Sequence, residues 1–389
     1  MKIVIIGAGM YVTGRNNTGT GTVLSSLAEL SKKIRFEKIT VVSKSESSRN
    51  DVEEAQKRIN KILGTNVVIE FEPLGAEPLV KLNALCATEK YDLAIISVPD
   101  HLHFENTQIL LENRINCLVV KPFTPTTSEA LRLIKIQKSN QVYGAVEFHK
   151  RYDETNLYIK KTLAEKSLGK LLYFTVDYSQ RIKIPLTIFS GWSDKTNIFQ
   201  YLGVHYVDLI YFLTGFIPIR VNAIGTNGIL KSKGVDSYDS VHAQIIWREA
   251  QGTDEFISSF NTNWIDPNIT SALSDQKYKV IGTLGRIECD QKNRGVELVT
   301  EKTGIQQINP YFSDYLPNEN GNLKFSGYGH RSIEQFVLDV EALKEGKTSL
   351  EKLEKSRPTF SSSLISTNVI ETVNKSLEKK GEWLNILAQ

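Results

Sequence analysis

The sequence predicts an α/β Rossmann-type N-terminal domain followed by an α+β domain with a large, mostly antiparallel open sheet. Three observations predict it. Apolar, β-branched runs alternate with helical segments as far as Phe148, the grammar of a parallel sheet covered on both faces. Gly7-Ala8-Gly9 directly follows the first such run, where a dinucleotide-binding turn belongs. After about Lys170 the strand-like segments are joined by short connections containing Gly and Asn, which indicates antiparallel pairing. The first domain is placed at residues 1–122 and the second at 123–389. A C-terminal helix near 357–380 is expected to pack back on the first.

Residues 2–6 are a buried strand ending in Gly7, followed by a polar, Gly-rich loop to Gly21 and a helix over Val23–Leu30. Strands follow at 39–42, 67–71, 93–98, 117–120 and 142–148. Helices separate them at 51–63, 78–88, 104–111 and 128–137. Right-handed crossovers then favour a doubly wound sheet over a barrel. In the second domain strands are expected at 171–180, 220–225, 240–247, 255–264, 277–281 and 296–299. Ser240 to Trp247 alternates in polarity, so that sheet has two unlike faces. Residues 332–343 and 360–379 read as helices.

Composition narrows the function. The chain has 389 residues, 41% hydrophobic and 23% charged, ample for a large core. A net charge of +3 gives no global reason to expect nucleic acid or an acidic membrane surface. The three cysteines, Cys86, Cys117 and Cys289, have neither metal nor disulfide spacing, and Cys86 and Cys117 read as buried inert thiols. The six histidines are not clustered with Asp, Glu or Cys, so no metal is expected. The N-terminal apolar run is too short for a signal-peptide core, and no stretch has the length of a membrane span. The expected location is the cytoplasm.

Gly7 suits the tight turn, and Gly9 lets the backbone approach a pyrophosphate. Met10 and Tyr11 follow, and Val12 stands at the third fingerprint position in place of Gly or Ala. The next stretch, Thr13 to Thr22, is longer than a standard turn, so the phosphate-facing helix is expected near Thr20 or Thr22. Arg15 either meets a phosphate or is solvated. The second strand ends Ser43-Lys44-Ser45, with no carboxylate before Glu46 and with Arg49 close by. A carboxylate there would repel a 2′-phosphate, so its absence favours NADP over NAD.

At Val119-Val120-Lys121-Pro122, followed by Thr126-Thr127-Ser128-Glu129, the chain resembles the glucose–fructose oxidoreductase/inositol dehydrogenase/MocA (Gfo/Idh/MocA) family. Val98-Pro99-Asp100-His101-Leu102-His103 is similar to that family's Thr-Pro-x-x-x-His. Gly203-Val204-His205-Tyr206-Val207-Asp208 is similar to its G-x-H-x-x-D, and Arg357-Pro358-Thr359-Phe360 to its ending. The four motifs occur in family order and span essentially the whole chain. Two positions depart: the family's Glu-Lys-Pro is Val120-Lys121-Pro122, and its Asp before G-x-H is Tyr201. The second departure widens the range of possible substrates.

The resemblance implies NAD(P)-dependent oxidation or reduction of a sugar, polyol or nucleotide-sugar hydroxyl or carbonyl. Lys121 ends a parallel strand, where open α/β sheets place their ligands, and can stabilise alkoxide character. A desolvated Lys121 has a lowered pKa and can itself relay the proton. His205 is the expected base, since imidazole titrates near neutrality. The family resemblance supports both roles and brings the His205 segment over the nicotinamide edge. Val98, Pro99, His103, Lys121 and Pro122 are expected beside the cofactor. Arg151, Tyr152, Asn197, Gln200 and Tyr201 are expected beside the substrate, with Arg181 and Lys183 as further hydrogen-bonding candidates and Asp208 orienting the His205 region. His242 and His330 read as structural or surface residues. Two alternatives stay open: a cofactor-recycling enzyme that rearranges sugars or cleaves glycosides without net redox, and a non-catalytic NAD(P)-sensing protein on the same fold. A homodimer or homotetramer is expected, because one face of the second sheet lacks helices to cover it.

Overall fold

The computed structural model describes residues 1–15 and 21–386. Its chain divides into two compact units, Met1–Tyr152 with Tyr311–Leu364, and Asp153–Pro310 with Ile365–Gln389.

The first unit is built on six parallel strands: β1 (Lys2–Ile6), β2 (Lys38–Ser43), β3 (Glu70–Pro73), β4 (Leu93–Ile96), β5 (Asn116–Val120) and β6 (Gly144–Glu147). They lie in the order β3-β2-β1-β4-β5-β6, the doubly wound arrangement whose order reverses beside β1. Among the described residues the α-helices of this stretch are α1 (Met10–Thr13), α2 (Thr22–Leu30), α3 (Ser48–Leu63), α4 (Pro78–Glu89), α5 (His103–Glu112) and α6 (Thr127–Asn140). Ile3, Ile5, Val41, Leu93 and Ile95 are buried to within 1% and form the sheet's centre, as expected of strands covered on both faces.

The expected boundary at residue 122 is too early. β6 pairs in parallel with β5, Val120 opposite Glu147, and α6 is the crossover between them. A βαβ unit cannot be divided without exposing the ladder on β5, so the sheet runs on past Pro122. The segment from Tyr311 returns to this unit with the hairpin β15 (Asp314–Pro317) and β16 (Leu323–Ser326) and the helices α10 (Tyr328–Lys344) and α11 (Leu350–Ser356). The Arg357-Pro358-Thr359-Phe360 motif closes the β6 edge. Val146 N–H donates to Pro358 O at 2.8 Å, and Phe360 stacks on Phe123 with ring centroids 4.3 Å apart. Gly144 makes room, since a Cβ there would lie 2.4 Å from the Phe360 ring. The C-terminal helix α12 (Phe360–Glu378) thus begins in the first unit and counts with the second from Ile365.

The second unit holds α7 (Glu154–Ala164), α8 (Val204–Thr214), the short α9 (Ile229–Ser232) and most of α12. Its seven-stranded sheet has the order β12-β11-β7-β10-β9-β8-β17. The strands are β7 (Leu171–Arg181), β8 (Ile217–Thr226), β9 (Ser240–Arg248), β10 (Glu255–Asp266), β11 (Ser274–Gly282), β12 (Arg286–Asp290) and β17 (Leu384–Asn385). A separate hairpin joins β13 (Val296–Thr300) and β14 (Gly304–Ile308). The sheet is antiparallel except at its centre, where β10 runs parallel to β7. Neither α7 nor α8 was read as a separate element from sequence.

One sheet face packs Phe174, Val176, Val241, Ile245 and Phe260 into the core with Tyr206 and Ile210 of α8. The other carries exposed Tyr173, Ile224 and Ile257 among polar residues. It also holds a cavity of 550 Å³ lined by His242, Asn261, Asp266 and Lys277 among others. Among the described residues no helix is long and apolar enough to cross a membrane. The three cysteines are buried and form no disulfide among the described residues, and burial pushes the Cys86 thiol up to about 12.

Candidate active site

The turn after β1 requires its first glycine. Gly7 has φ +105°, and a Cβ there would sit 2.1 Å from the carbonyl oxygen of Ser97. A Cβ on Gly9 would meet nothing within 4 Å, so the backbone faces open space that a phosphate can approach. Gly9 caps the four-residue α1, which opens at Met10 and was not expected, and α2 begins at Thr22, where a helix start was expected. The two helices touch because a Cβ on Gly21 would fall 2.0 Å from Val12 O. Val12 is fully buried and its N–H donates to Gly9 O at 3.0 Å, so its side chain serves the core rather than a cofactor. Met10 and Tyr11 are partly exposed beside it. Loop residues 16–20, including Thr20, lie outside the described residues. Arg15 pairs with Asp51 at 3.4 Å.

At the end of β2, Ser43 Oγ lies 3.3 Å from Ser48 Oγ, and Ser45 Oγ lies 2.7 Å from Ser47 Oγ. Lys44 is exposed between them. Glu46, the nearest carboxylate in sequence, is paired with Arg49, which holds its carboxyl below the usual range. The Arg49 guanidinium lies 5.1 Å from the Phe71 ring centre.

The ends of β4, β5 and β6 carry the ionisable groups. His103 is 1% exposed; its Nδ1 lies 2.7 Å from Pro122 O and its Nε2 2.9 Å from Val98 O. Both ring nitrogens therefore face protein carbonyls, and burial pushes its pKa down. The ring clips the Val98-Pro99 loop to the Lys121-Pro122 loop, whose peptide bond is cis. Lys121 is 8% exposed, and burial lowers its pKa to about 8, opposed by the negative charges of Asp100 and Glu147.

Glu147 was not singled out from sequence, because it ends an apolar run and reads as a strand residue. It is 1% exposed. Its Oε1 accepts from Ser332 Oγ, and its Oε2 lies 3.1 Å from His149 Nδ1. In the turn that follows, the Arg151 guanidinium lies 5.9 Å from the Phe148 ring, and burial pushes the Tyr152 phenol up to about 12.

In the second unit, π-helical residues Phe199–Gly203 lead into α8. Such irregular turns recur at functional sites. His205 sits in the first turn of α8, 4% exposed, its ring centroid 6.4 Å from that of Tyr178; Asp208, one turn on, is 3% exposed. Tyr201 belongs to an aromatic cluster, its ring centroid 4.9 Å from Phe189, 6.0 Å from Trp192 and 5.8 Å from Trp264. Asn197 and Gln200 are bound up with Asn374, which sequence reasoning missed. Asn197 Nδ2 donates to Asn374 Oδ1 at 2.8 Å, and Asn374 Nδ2 donates to Gln200 Oε1 at 3.0 Å. Asn197 Oδ1 also accepts from Gln200 N–H at 3.0 Å. These amides fasten α12 to the segment before α8. Arg181 donates to Thr270, and Lys183 N–H to Asn268 Oδ1 at 3.1 Å. The expected site residues thus divide: the cofactor positions with Lys121, Arg151 and Tyr152 lie in the first unit, and Asn197, Gln200, Tyr201 and His205 in the second.

Comparison with known proteins gives two family matches. Residues 1–148 match the Gfo/Idh/MocA domain described as "Oxidoreductase family, NAD-binding Rossmann fold", and residues 156–288 match the GFO/IDH/MocA C-terminal domain. Among curated proteins, scyllo-inositol 2-dehydrogenase (NADP(+)) of Bacillus subtilis is 25% identical over 180 residues, 45% of this chain and 48% of that protein. D-xylose 1-dehydrogenase (NADP(+)) of Hypocrea jecorina is 27% identical over 146 residues, 38% of this chain and 34% of that protein. The chain therefore spans between about a third and a half of the length of these relatives. Among solved structures, scyllo-inositol dehydrogenase from Lactobacillus casei with bound NAD(H) and scyllo-inositol has a TM-score of 0.66 at 16% identity, over 100% of this chain and 99% of the other. GenD2 from gentamicin A biosynthesis, in complex with NAD, has a TM-score of 0.69 at 17% identity, over 100% and 97%.

Proposed function

The chain belongs to the Gfo/Idh/MocA family of oxidoreductases, and on that premise we propose that it interconverts a secondary alcohol and a carbonyl on a sugar, polyol or nucleotide sugar, using NADP(H) or NAD(H). The observation that carries this reading is Lys121: a buried lysine at the carboxyl end of a parallel strand, with its pKa lowered to about 8. An ammonium so tuned donates a hydrogen bond to a developing alkoxide and exchanges its proton near neutral pH. Gly7 and Gly9 suit the pyrophosphate of a nicotinamide dinucleotide, with Gly9's backbone facing open space. When bound, that dinucleotide supplies the acceptor or donor of the hydride. In this reading His205 takes or returns the hydroxyl proton, and Lys121 stabilises the developing alkoxide charge. Arg151, Tyr152 and Tyr201 orient the remaining hydroxyls.

NADP is the preferred cofactor in this reading. Its support is Ser43-Lys44-Ser45 at the end of β2, where the nearest carboxylate, Glu46, is neutralised by Arg49. The similar inositol and xylose dehydrogenases carry NADP(+) in their names. The protein acts in the cytoplasm on a small molecule, as a homodimer or homotetramer formed through the exposed face of the seven-stranded sheet. The experiment is a panel of inositols, aldoses and nucleotide sugars incubated with each oxidised cofactor, followed by nicotinamide absorbance. A compound that produces reduced cofactor identifies the substrate class. Cofactor binding without reduction across the panel, in either direction, would count against catalysis of net redox.

A further inference from the structure

His205 sits in the first turn of α8, and the turn before it is irregular: Phe199–Gly203 is π-helical. One residue inserted into a helical turn rotates everything after it by about 100° about the axis. The phase of α8, and with it the direction of the His205 side chain, is therefore not fixed by the segment that leads into it. Contacts from outside α8 have to fix it. They centre on the next residue, Tyr206, which is fully buried.

Tyr206 is held by its ring and by its hydroxyl. The ring meets Tyr178 edge-on at 5.5 Å and Tyr278 at 5.8 Å, and Tyr178 also lies 6.4 Å from the His205 ring. The hydroxyl donates to Gln291 Oε1 at 2.7 Å. Gln291, just after β12, is fully buried and anchored in turn: its Nε2 donates to Asn156 Oδ1 at 3.3 Å and lies 3.4 Å from Asp153 Oδ2. Asp153 caps α7 and takes a two-pronged contact from Arg294, Nη1 to Oδ2 at 2.9 Å and Nη2 to Oδ1 at 3.1 Å. Tyr278 OH of β11 donates to Asn156 Oδ1 at 2.8 Å. The network thus runs from α8 through the loop after β12 to the start of α7, beside a core of aromatic and aliphatic side chains.

An ion pair buried this deeply returns little net stability. What such a network fixes is direction. Packed rings tolerate a small rotation of a helix, whereas a short hydrogen bond to an anchored acceptor does not. We propose that Tyr206 and Gln291 are positioning residues of the reaction: their hydrogen bond locks the rotation of α8 and thereby aims His205. This rests on the reading of His205 as the group that handles the hydroxyl proton. Neither positioning residue exchanges a proton or touches substrate. Tyr206 and His205 are neighbours on one rigid turn, so any rotation of α8 that breaks the Tyr206 bond swings His205 through the same angle. A displacement of about 1 Å at a reacting group can cost about a hundredfold in rate.

The test uses the full chain without substrate. In deuterated protein with protonated histidine and tyrosine rings, NMR reads the nuclear Overhauser contact between His205 and Tyr178, assigned with His205→Asn and Tyr178→Phe. Tyr206→Phe removes the hydroxyl and keeps the ring; the His205–Tyr178 contact should weaken or vanish and the His205 ring signals should shift. Tyr278→Phe is the control. It removes a second buried hydroxyl from the same network, but one that is not on α8. It should lower the melting temperature to a similar extent and leave the His205 signals as in wild type. Combining Tyr206→Phe with Gln291→Leu makes both partners apolar, so stability should recover while His205 stays displaced. Wild-type His205 signals in Tyr206→Phe or in the double variant, equal displacement in Tyr278→Phe, or a wild-type protein lacking the contact would each overturn the proposal. These readouts need no turnover and stand apart from the function itself: a fully active His205→Ala enzyme would remove the assigned role of His205 and leave the locking of α8 intact.

Discussion

Arg357 grips Asp339 with two parallel hydrogen bonds, Nε to Oδ2 at 2.6 Å and Nη2 to Oδ1 at 3.0 Å. The pair ties α10 to the strap that closes the β6 edge, and Tyr143 OH reaches the same Oδ2 at 3.4 Å. Asp339 is 5% exposed, so removing Arg357 strands a buried carboxylate. Arg357→Ala should destabilise the protein by about 2–4 kcal/mol, and Arg357→Lys by somewhat less, because lysine cannot form the two-pronged contact. Urea unfolding of the three proteins checks this; equal midpoints would show that the strap is held by Phe360 packing alone.

Lys44→Asp should weaken NADPH binding more than NADH binding. The substitution places a negative charge at the strand end where a 2′-phosphate belongs. Fluorescence titration with both cofactors measures the change. Wild-type protein that binds NADH more tightly than NADPH would defeat the argument from the missing carboxylate.

Lys121→Ala and His205→Ala should each slow turnover by about a hundred- to ten-thousand-fold while cofactor binding stays largely intact. On the proposed reading that both groups act in one chemical step, the double variant should lose far less than the product of the single losses. Multiplicative losses in steady-state rates would indicate independent roles.

The lowered pKa of Lys121 also predicts a stability effect. The folded state gives up this proton near pH 8, whereas the unfolded chain holds it to the ordinary value of 10.5. Between those limits the unfolded state binds more protons, so stability rises with pH across that window. Below it the full penalty of burying the ammonium applies, up to about 3 kcal/mol. Lys121→Met should therefore be more stable than wild type at pH 7, and the difference should shrink as pH rises from 8 towards 10. Thermal melts across that range provide the measurement; a gap that widens with pH has the wrong sign.

Ile257 and Ile224 are 43% and 56% exposed on the uncovered face of the seven-stranded sheet. If that face joins subunits, Ile257→Glu should shift sedimentation towards the monomer at micromolar concentration. A wild-type monomer under the same conditions would rule the interface out.

The strand-and-helix alternation up to Phe148, the Gly7 turn and the strand-end position of Lys121 were legible in the sequence, because each depends on local periodicity or on one residue's backbone needs. Gly7 is an example: φ +105° and a 2.1 Å approach to Ser97 leave no alternative to glycine. The parallel contact of β10 with β7 was not legible, since strand direction is set by pairing between segments far apart in the chain. The same holds for individual side chains. Nothing around His103 in sequence indicates that carbonyls from Val98 and Pro122 occupy both of its nitrogens. Nor does the sequence show Asn374 meeting Asn197 and Gln200, or Glu147 lying across from Val120. Periodicity determines which residues are buried and in what kind of element. Which buried polar groups face one another depends on strand register and on the return of the chain after Tyr311, and those only the tertiary structure decides.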